Sequence, residues 1–368
     1  MKLMHYMKRE RSGLAFTTLE LVNAEEQHGH QVCIREPSGG DVLYGQPVEP
    51  DVEVIHSQCP IQSYHNRTPK FLWTHGEPLS SVGNGVSMKA VVDLASLCEA
   101  FICMRREEQD YWNLIKRTYY VQKGIDLNLF RPLSAIEAGE KLSGAPSVLY
   151  IEHWRGQRNP LPLVVAMSKV WRKYPDARLH LYNCTDQKML ETFQALTKVG
   201  KLWTFLRSIQ GPVQPLEVNK LINRADIVVS CLYPCYARSI EALGAGRGFL
   251  CPGYENPEYP FHCTLDPSSM AKAIIDIWEH GCGGKFDFRG WSEKYHDVRE
   301  TVRQSIAIYT RYLGEPHVRR EPEQAGNSAE DCLVGYGGRI AALANQQAQA
   351  GGTCQAEGNG RPETVPEQ

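Results

Sequence analysis

Apolar residues along this chain form short runs that alternate with longer stretches of mixed character. The short runs predict buried strands, whereas the longer stretches place apolar residues at helical spacing. In the first half, the predicted strands are residues 1–7, 31–34, 52–56, 70–74, 100–104 and 118–122. The predicted helices between them are residues 14–27, 86–97 and 105–115. Strands that alternate with helices in this way form a parallel sheet covered on both faces.

A second alternating series follows the first. Its predicted strands are residues 147–151, 178–182, 226–230 and 248–251. Its predicted helices are residues 161–174, 187–206, 216–223, 238–244, 267–280 and 291–313. Residues 133–147 have weak periodicity and predict a linker. We therefore predict two Rossmann-like, doubly wound α/β domains, residues 1–132 and 148–290, that face each other across a cleft in which ligands bind at the carboxyl ends of the strands.

The character of the chain changes after the last predicted helix. Residues 315–368 contain one aromatic residue, Tyr336, and are rich in Gly, Gln, Ala, Glu and Pro. Such a segment buries too little apolar surface to offset the entropy lost on ordering. We expect this tail to be largely disordered.

Composition narrows the class of protein. The 368 residues are 42% hydrophobic and 22% charged, which suits two globular domains. A net charge of −2 argues against a protein held mainly by nucleic-acid phosphates, although a local basic cleft is compatible with it. The 12 cysteines include no C-x-x-C pair, which argues against a zinc finger or a redox dithiol. With no secretory signal and no apolar run of membrane-spanning length, we expect a cytoplasmic protein with free, mostly buried thiols.

The segment that ends the first half carries the most specific motif. It contains Gly124, Ile125, Asp126, Phe130 and Pro132, a strand that ends in a glycine turn with an Asp able to cap it. A domain edge alone would explain these residues. However, the segment closely resembles the end of the N-terminal domain in family 4 of the retaining glycosyltransferases, where Asn is usual at the position of Lys123.

A second motif begins at Arg238 and resembles the Glu-Ala-(Met/Leu)-Ala-x-Gly segment of the same family. A helix start offers unpaired N–H groups and a positive dipole end to a diphosphate. The resemblance implies that Ala237, Arg238 and Ser239 bind the donor and that Glu241 holds its ribose. The alternative is that Glu241 only caps or solvates the helix. The family usually has a further Glu eight residues earlier, where this chain has Tyr233.

Two arginines follow the first strand of the second half. Arg158, before Asn159, resembles the family's Lys segment, while His153 stands where the family has an Arg and Arg155 is displaced into the loop. Guanidinium groups suit a diphosphate leaving group because each can donate two parallel hydrogen bonds. A solvated basic loop is the alternative.

The remaining candidates lie in the first half. The resemblance implies that His75 faces the transferring sugar and that Gly13 lets the backbone approach the donor. Arg11, Glu77 and Arg105 are weaker candidates for binding the acceptor. The alternatives are that His75 is a structural histidine, that Gly13 lies in an ordinary strand-to-helix turn, and that Arg105 is a helix-surface charge.

As a whole, the resemblance implies a GT-B fold and a specific reaction. A sugar would pass from a nucleotide diphosphate sugar, the co-substrate, to an acceptor hydroxyl with retention of configuration. The leaving diphosphate would be stabilised by Arg155, Arg158 and the helix start, with His75 orienting the sugar. No cofactor is expected, and with no D-x-D motif no metal either. Residues 291–313 would brace the first domain.

The sequence leaves the acceptor and the oligomeric state open. A glycan or glycan precursor is the main expectation, and no stable membrane span is expected. A hydroxymethylated base in viral DNA is an alternative that salt-sensitive DNA binding would reveal. An epimerase of the same fold would form a new sugar nucleotide without acceptor. A donor-binding protein that has lost transfer would bind nucleotide without turnover.

Overall fold

The computed structural model describes residues 1–7, 13–36, 41–56, 68–74, 88–151, 161–182, 203–206, 214–231, 237–252, 254 and 256–313. The strands are β1 (Lys2–Tyr6), β2 (Gln31–Arg35), β3 (Val42–Gly45), β4 (Val52–His56), β5 (Lys70–Thr74), β6 (Ala100–Cys103), β7 (Thr118–Tyr120), β8 (Ser147–Tyr150), β9 (Arg178–Tyr182), β10 (Trp203–Leu206), β11 (Ile227–Val229) and β12 (Gly248–Leu250). The helices are α1 (Gly13–Gln27), α2 (Met88–Leu97), α3 (Arg106–Asn113), α4 (Ala135–Ala138), α5 (Leu161–Lys173), α6 (Pro215–Asn223), α7 (Ala237–Gly244), α8 (Pro267–Asp276), α9 (Phe288–Tyr295) and α10 (Val298–Leu313).

Within these ranges the strands form two sheets. The first has the order β3-β2-β1-β4-β5-β6-β7, and every pair is parallel except β2 with β3. The second has the order β10-β9-β8-β11-β12 and is parallel throughout. Each order reverses direction once, between β1 and β4 and between β8 and β11. This confirms the predicted doubly wound α/β class.

Both faces of the first sheet are buried. Side chains alternate along each strand, so neighbouring residues pack against different layers of the protein. Val54, Phe71 and Trp73 pack on the face covered by α1 and α10. Ile55 and Leu72 pack on the opposite face, in a cluster with residues of α2 and α3. Fully buried parallel strands of this kind have continuous apolar sequences, which is why the pattern predicted them.

The closing helix predicted at residues 291–313 is two helices. The first, α9, ends at Tyr295, and α10 begins at Val298. Asp297 between them pairs with Ile125 in an isolated parallel bridge. Within α10, Val302 and Tyr309 are fully buried against the first sheet, whereas Leu313, the last residue of the helix, is 40% exposed.

Other differences concern the edges of the sheets. The helix predicted over residues 187–206 is wrong at its end, because Trp203–Leu206 is strand β10, paired with β9. Its residues 187–202 lie outside the described part. The antiparallel edge strand β3 was not predicted, because its side chains are only half-buried and do not alternate. The predicted linker contains α4, capped by reciprocal hydrogen bonds between Ser134 and Glu137.

The remaining sequence predictions divide into tested and untested ones. The seven cysteines in the described ranges are all free and six of them are buried, as expected. No helix in those ranges is long and apolar enough to cross a bilayer. The predicted tail, residues 315–368, lies outside the described residues.

His296, at the break between α9 and α10, is buried in its neutral form. Its Nε2 lies 2.5 Å from the hydroxyl of Tyr254, and its Nδ1 lies 3.1 Å from the carbonyl oxygen of Lys123. Burial lowers the pKa of His296 from 6.5 to about 4. Between pH 6.5 and about 4, the unfolded chain therefore binds a proton at His296 that the folded chain does not bind.

We expect this histidine to make the protein less stable in acid. Between pH 7 and pH 5, the free energy of unfolding falls by about 2 kcal/mol on account of His296. The loss begins near the unfolded pKa of 6.5 and is complete below about 4. Urea unfolding at the two pH values measures it. His296→Gln should reduce the fall, whereas His280→Gln, at an exposed site, should leave it unchanged. An undiminished fall in His296→Gln would contradict the assignment.

Candidate functional site

The reversal of strand order in the second sheet marks where a ligand is expected. In open α/β sheets, ligands bind beyond the carboxyl ends of the strands at this point. Here β8 and β11 end side by side, with Tyr150 paired with Val229. The chain leaves β8 toward Arg155 and Arg158 and leaves β11 toward α7. Both arginines, together with Tyr233, lie outside the described residues, so their donor contacts stay predictions.

Helix α7 supplies the best-placed candidate. It begins at Ala237, one residue before the predicted start, and Arg238 and Ser239 are in its first turn. Glu241 follows one turn in and is 6% exposed. Because its carboxylate is buried, the alternative that Glu241 merely solvates the helix surface is disfavoured. Buried carboxylates require compensating donors, which gives this residue a binding or structural role.

The two motifs that carry the family resemblance contact each other. Gly244, at the end of α7, lies against Ile125 and Phe130, so that a Cβ atom there would be 2.8 Å from Cδ1 of Ile125 and from the carbonyl oxygen of Phe130. Pro132 likewise lies against Gly246, with its Cγ 3.4 Å from the position of an added Cβ atom. Residues 124–132, which end the first half, therefore form the surface against which α7 packs, and we call this segment the seat.

Arg289 of α9 joins this seat to α7 through backbone carbonyls. Its Nη1 donates to the carbonyl oxygens of Leu127 at 3.0 Å, Phe130 at 2.9 Å and Gly244 at 2.8 Å. Its Nε lies 2.7 Å from Oε1 of Glu293. A planar guanidinium suits such a convergence of acceptors. Arg289 thus holds the end of the helix that carries Glu241 through a backbone carbonyl oxygen.

Asp126 caps the turn, as the sequence indicated. Its Oδ1 accepts hydrogen bonds from the backbone N–H groups of Asn128 at 2.8 Å and Leu129 at 3.3 Å. The backbone N–H of Phe130 donates to its carbonyl oxygen at 2.8 Å. Asp126 therefore shapes the seat.

The candidates of the first half are only partly described. Arg11, His75 and Glu77 lie outside the described residues, and Gly13 is the first residue of α1. Arg105 follows β6 and is buried, with its Nη1 2.9 Å from Oε1 of Glu108. Its interpretation as a helix-surface charge is wrong, because an ion pair holds the guanidinium inside the protein.

A buried polar cluster at the carboxyl end of the first sheet was not predicted. His56, the last residue of β4, lies beside His5 of β1 and near Trp73 of β5, and Glu25 of α1 contacts His5. The sequence contained one signal that could have indicated this cluster, a histidine at the end of an apolar strand. Only the observed strand order shows that β1 and β4 flank the reversal point, where such a residue is a candidate for function.

Two Rossmann-like sheets, each with one reversal of strand order, define this chain as a member of the GT-B fold class. It is similar to a sucrose-phosphate synthase from Thermosynechococcus elongatus with a TM-score of 0.64 and 14% identity, over 84% of this chain and 98% of that one. HepE of Anabaena, solved with UDP and glucose, has a TM-score of 0.61 and 14% identity, over 84% and 99%.

A third similar structure is an alpha-glucosyltransferase solved with UDP and a 13-mer DNA that contains an HMU base. Its TM-score is 0.59 at 10% identity, over 84% of this chain and 99% of that one. No protein-family model matches the chain, and no curated protein sequence matches it. At such low identity, the similarity establishes the fold alone.

Proposed function

We propose that this protein transfers a hexosyl or related sugar from a nucleotide diphosphate sugar to an acceptor hydroxyl, with retention of configuration. Family 4 of the retaining glycosyltransferases is the proposed relationship. The observation that carries the proposal is Glu241, buried one turn into a helix that follows β11 at the reversal point of the second sheet. A carboxylate in this place suits the two hydroxyls of a ribose.

The start of α7 supports the placement of the diphosphate. Its first turn holds Ala237, Arg238 and Ser239, and the backbone N–H groups of a first turn have no partner within the helix. Together with the helix dipole, they favour an anion beside Glu241. The ribose and the diphosphate of a nucleotide sugar would then occupy neighbouring positions along one helix.

Bond cleavage in such a donor leaves negative charge on the diphosphate. In the proposed mechanism, Arg155, Arg158 and the start of α7 stabilise this charge, which lowers the barrier because the charge develops in the transition state. His75 orients the sugar. The acceptor attacks the face from which the diphosphate departs, and the leaving phosphate assists removal of the acceptor proton.

The proposed conditions of the reaction follow from the same reasoning. The arginines and the helix start supply the charge that a metal ion would otherwise supply, so we propose that no metal is required. A glycan or glycan precursor is the proposed acceptor. The free thiols of the described cysteines suit a reducing compartment, and we propose the cytoplasm.

We expect a nucleotide diphosphate sugar to raise the melting temperature of the protein. Each of UDP-, GDP-, ADP- and TDP-glucose is added in turn, and the donor that gives the largest shift identifies the nucleotide. That donor is then incubated with hydroxyl acceptors, and the anomeric configuration of the product is determined by NMR. Activity should persist in EDTA. An inverted product would contradict the mechanism, and no shift with any donor would contradict the function.

A further inference from the structure

A cavity of about 300 Å³ lies at the amino ends of two strands of the second sheet. Asp226 comes directly before β11 and Arg247 directly before β12, and both residues line the cavity. The two strands are parallel, so the cavity and the proposed donor site, where Glu241 and α7 follow the carboxyl end of β11, lie at opposite ends of the strands. We call this second place the Arg247 cavity.

Arg247 brings a positive charge to this cavity without an ion pair. Among the described residues, its guanidinium group has no carboxylate partner and no hydrogen-bond acceptor, and its Nε is enclosed without one. Burial lowers the pKa of Arg247, although the nearby Asp226 opposes this effect. A cation that is partly removed from water without a partner is unfavourable until an anion accompanies it.

The acidic groups beside Arg247 already have other partners. Oδ1 of Asp226 pairs with Nζ of Lys141 at 2.8 Å, and Oδ2 accepts hydrogen bonds from the backbone N–H and the hydroxyl of Ser147, both at 2.9 Å. Asp287, the other described carboxylate that lines the cavity, caps the start of α9 by accepting a backbone N–H at 2.8 Å. The charge of Arg247 is therefore not neutralised from within the cavity.

Two guanidinium groups offer N–H donors at the cavity. Nη1 and Nη2 of Arg247 donate no hydrogen bond within the described ranges and, unlike Nε, are not enclosed. Arg289 also lines the cavity, and its bonds to three carbonyl oxygens and to Glu293 use Nη1 and Nε, which leaves Nη2. The N–H groups of one guanidinium can donate in parallel to two oxygens of a phosphate. The cavity thus presents the donors that an oxyanion needs.

A turn of two consecutive glycines forms one side of the cavity. Gly283 and Gly284 have φ angles of +71° and +80°, a conformation that favours glycine. Nothing lies within 4 Å of a Cβ added at either residue, so the main chain there is open to a ligand. Their N–H groups donate to no backbone carbonyl among the described residues. Exposed N–H groups of a turn are suitable donors for a bound anion.

An apolar wall adjoins these polar groups. Phe286 lines the cavity and is half-buried, with its ring centroid 6.0, 5.5 and 5.0 Å from those of Tyr259, Phe261 and Phe288. An aromatic wall beside a few polar donors is typical of sites for small organic ligands, whose volumes are about 300–1,000 Å³. The cavity is at the lower end of that range, which suits a single sugar ring with its phosphate better than a nucleotide.

We propose that the Arg247 cavity binds a sugar phosphate or a similar small phosphomonoester. The phosphate group accepts hydrogen bonds from Nη1 and Nη2 of Arg247, and the carbon skeleton packs against Phe286. Arg247 lies beyond the end of α7, whereas the proposed donor site lies at its start, so the two ligands do not compete for one place. The inference goes beyond the proposed function and does not depend on it.

Calorimetric titration of the full-length chain tests the class of ligand. Glucose 6-phosphate, glucose 1-phosphate and fructose 6-phosphate are each added at constant ionic strength, with inorganic phosphate and glucose as comparisons. At least one sugar phosphate should bind, and inorganic phosphate should bind more weakly because it lacks the contact with Phe286. Glucose should not bind in this way. No binding of any sugar phosphate, or equal affinity for inorganic phosphate, would overturn the proposal.

Variants of Arg247 place the binding at the cavity. Arg247→Met keeps the apolar stem but removes the guanidinium, and it should weaken sugar-phosphate binding about tenfold or more, as the loss of hydrogen bonds to a charged group implies. Arg247→Lys keeps the charge and should lose less. Arg303→Met, at an exposed ion pair on α10, is the matched control and should bind like the wild type. Unchanged affinity in Arg247→Met would overturn the proposal.

The melting temperature separates a binding role of Arg247 from a structural one. Because the guanidinium has no partner in the unbound protein, Arg247→Met should not lower the melting temperature in phosphate-free buffer. The sugar phosphate should raise the melting temperature of the wild type but not that of the variant. A clear loss of stability in unbound Arg247→Met would show that the guanidinium serves the fold, and would overturn the proposal.

Hydrogen exchange followed by mass spectrometry locates the ligand on the chain. With the sugar phosphate bound, the peptide that covers residues 281–288 should exchange more slowly, both with and without UDP. Protection confined to other segments would overturn the proposal. A wild type that binds no nucleotide sugar would contradict the proposed function alone, because the sugar phosphate is also tested without any donor.

Discussion

Glu241→Gln is expected to lose about ten- to a hundredfold in kcat/KM for the nucleotide sugar. The substitution keeps the size of the side chain but removes its charge, and hydrogen bonds to a charged group contribute about 1.5–3 kcal/mol. The loss should appear in donor binding as well, because in the proposed function the carboxylate binds the ribose in ground state and transition state alike. Donor-induced melting shifts and steady-state kinetics measure the two effects.

A matched control is available on the neighbouring helix. Glu217 of α6 is exposed and pairs with Lys220, so Glu217→Gln makes the same chemical change without touching the site. This control should bind and turn over donor like the wild type. Wild-type donor affinity in a folded Glu241→Gln variant would contradict the proposal that Glu241 binds the ribose.

Gly124→Ala is expected to destabilise the protein by about 3 kcal/mol. A Cβ at this position would lie 2.4 Å from Cα and 2.6 Å from N of Val298, and 2.6 Å from Oγ1 of Thr301. Two of these atoms belong to the backbone at the start of α10, so they cannot rotate away as a flexible side chain would. Relief of the overlap requires the bridge between Ile125 and Asp297 to move. Urea unfolding measures the loss.

Gly139→Ala separates this overlap from backbone strain. Gly139 has a φ of +88° and nothing within 4 Å of an added Cβ, so alanine there suffers strain alone, about 1 kcal/mol. If Gly124→Ala proved no less stable than Gly139→Ala, the close approach between the two segments would not be a constraint on the fold.

Much of the fold could be predicted because its strands are short and buried on both faces. The predicted bounds of β4, β5 and β9 agree with the observed ones. Sequence pattern failed where tertiary contacts decide the outcome. Residues 203–206 form a strand only because β9 offers a parallel partner. The break before α10 occurs because the backbone of Ile125 pairs with residues 296–298, a contact no local pattern reveals.

The candidate site shows the same division. Motif and helix start together predicted a helix at α7, in which Glu241 is buried, but the role of Glu241 stays a prediction. Asp126 caps its turn as its residue type indicated. The roles of Arg155, Arg158 and His75 stay predictions. The cluster of Glu25, His5 and His56 escaped the sequence analysis, because its histidines lie within apolar strands and strand order alone brings them together.

The seat formed by residues 124–132 limits how this protein can be recombined with a relative. Ile125 and Phe130 fit against Gly244, and Arg289 binds carbonyl oxygens on both sides of that contact. A chimera that exchanges α7 therefore has to inherit this segment together with α9. A crossover placed before Gly124 preserves the fit, whereas a crossover after Pro132 joins a foreign helix to a surface shaped for the original one.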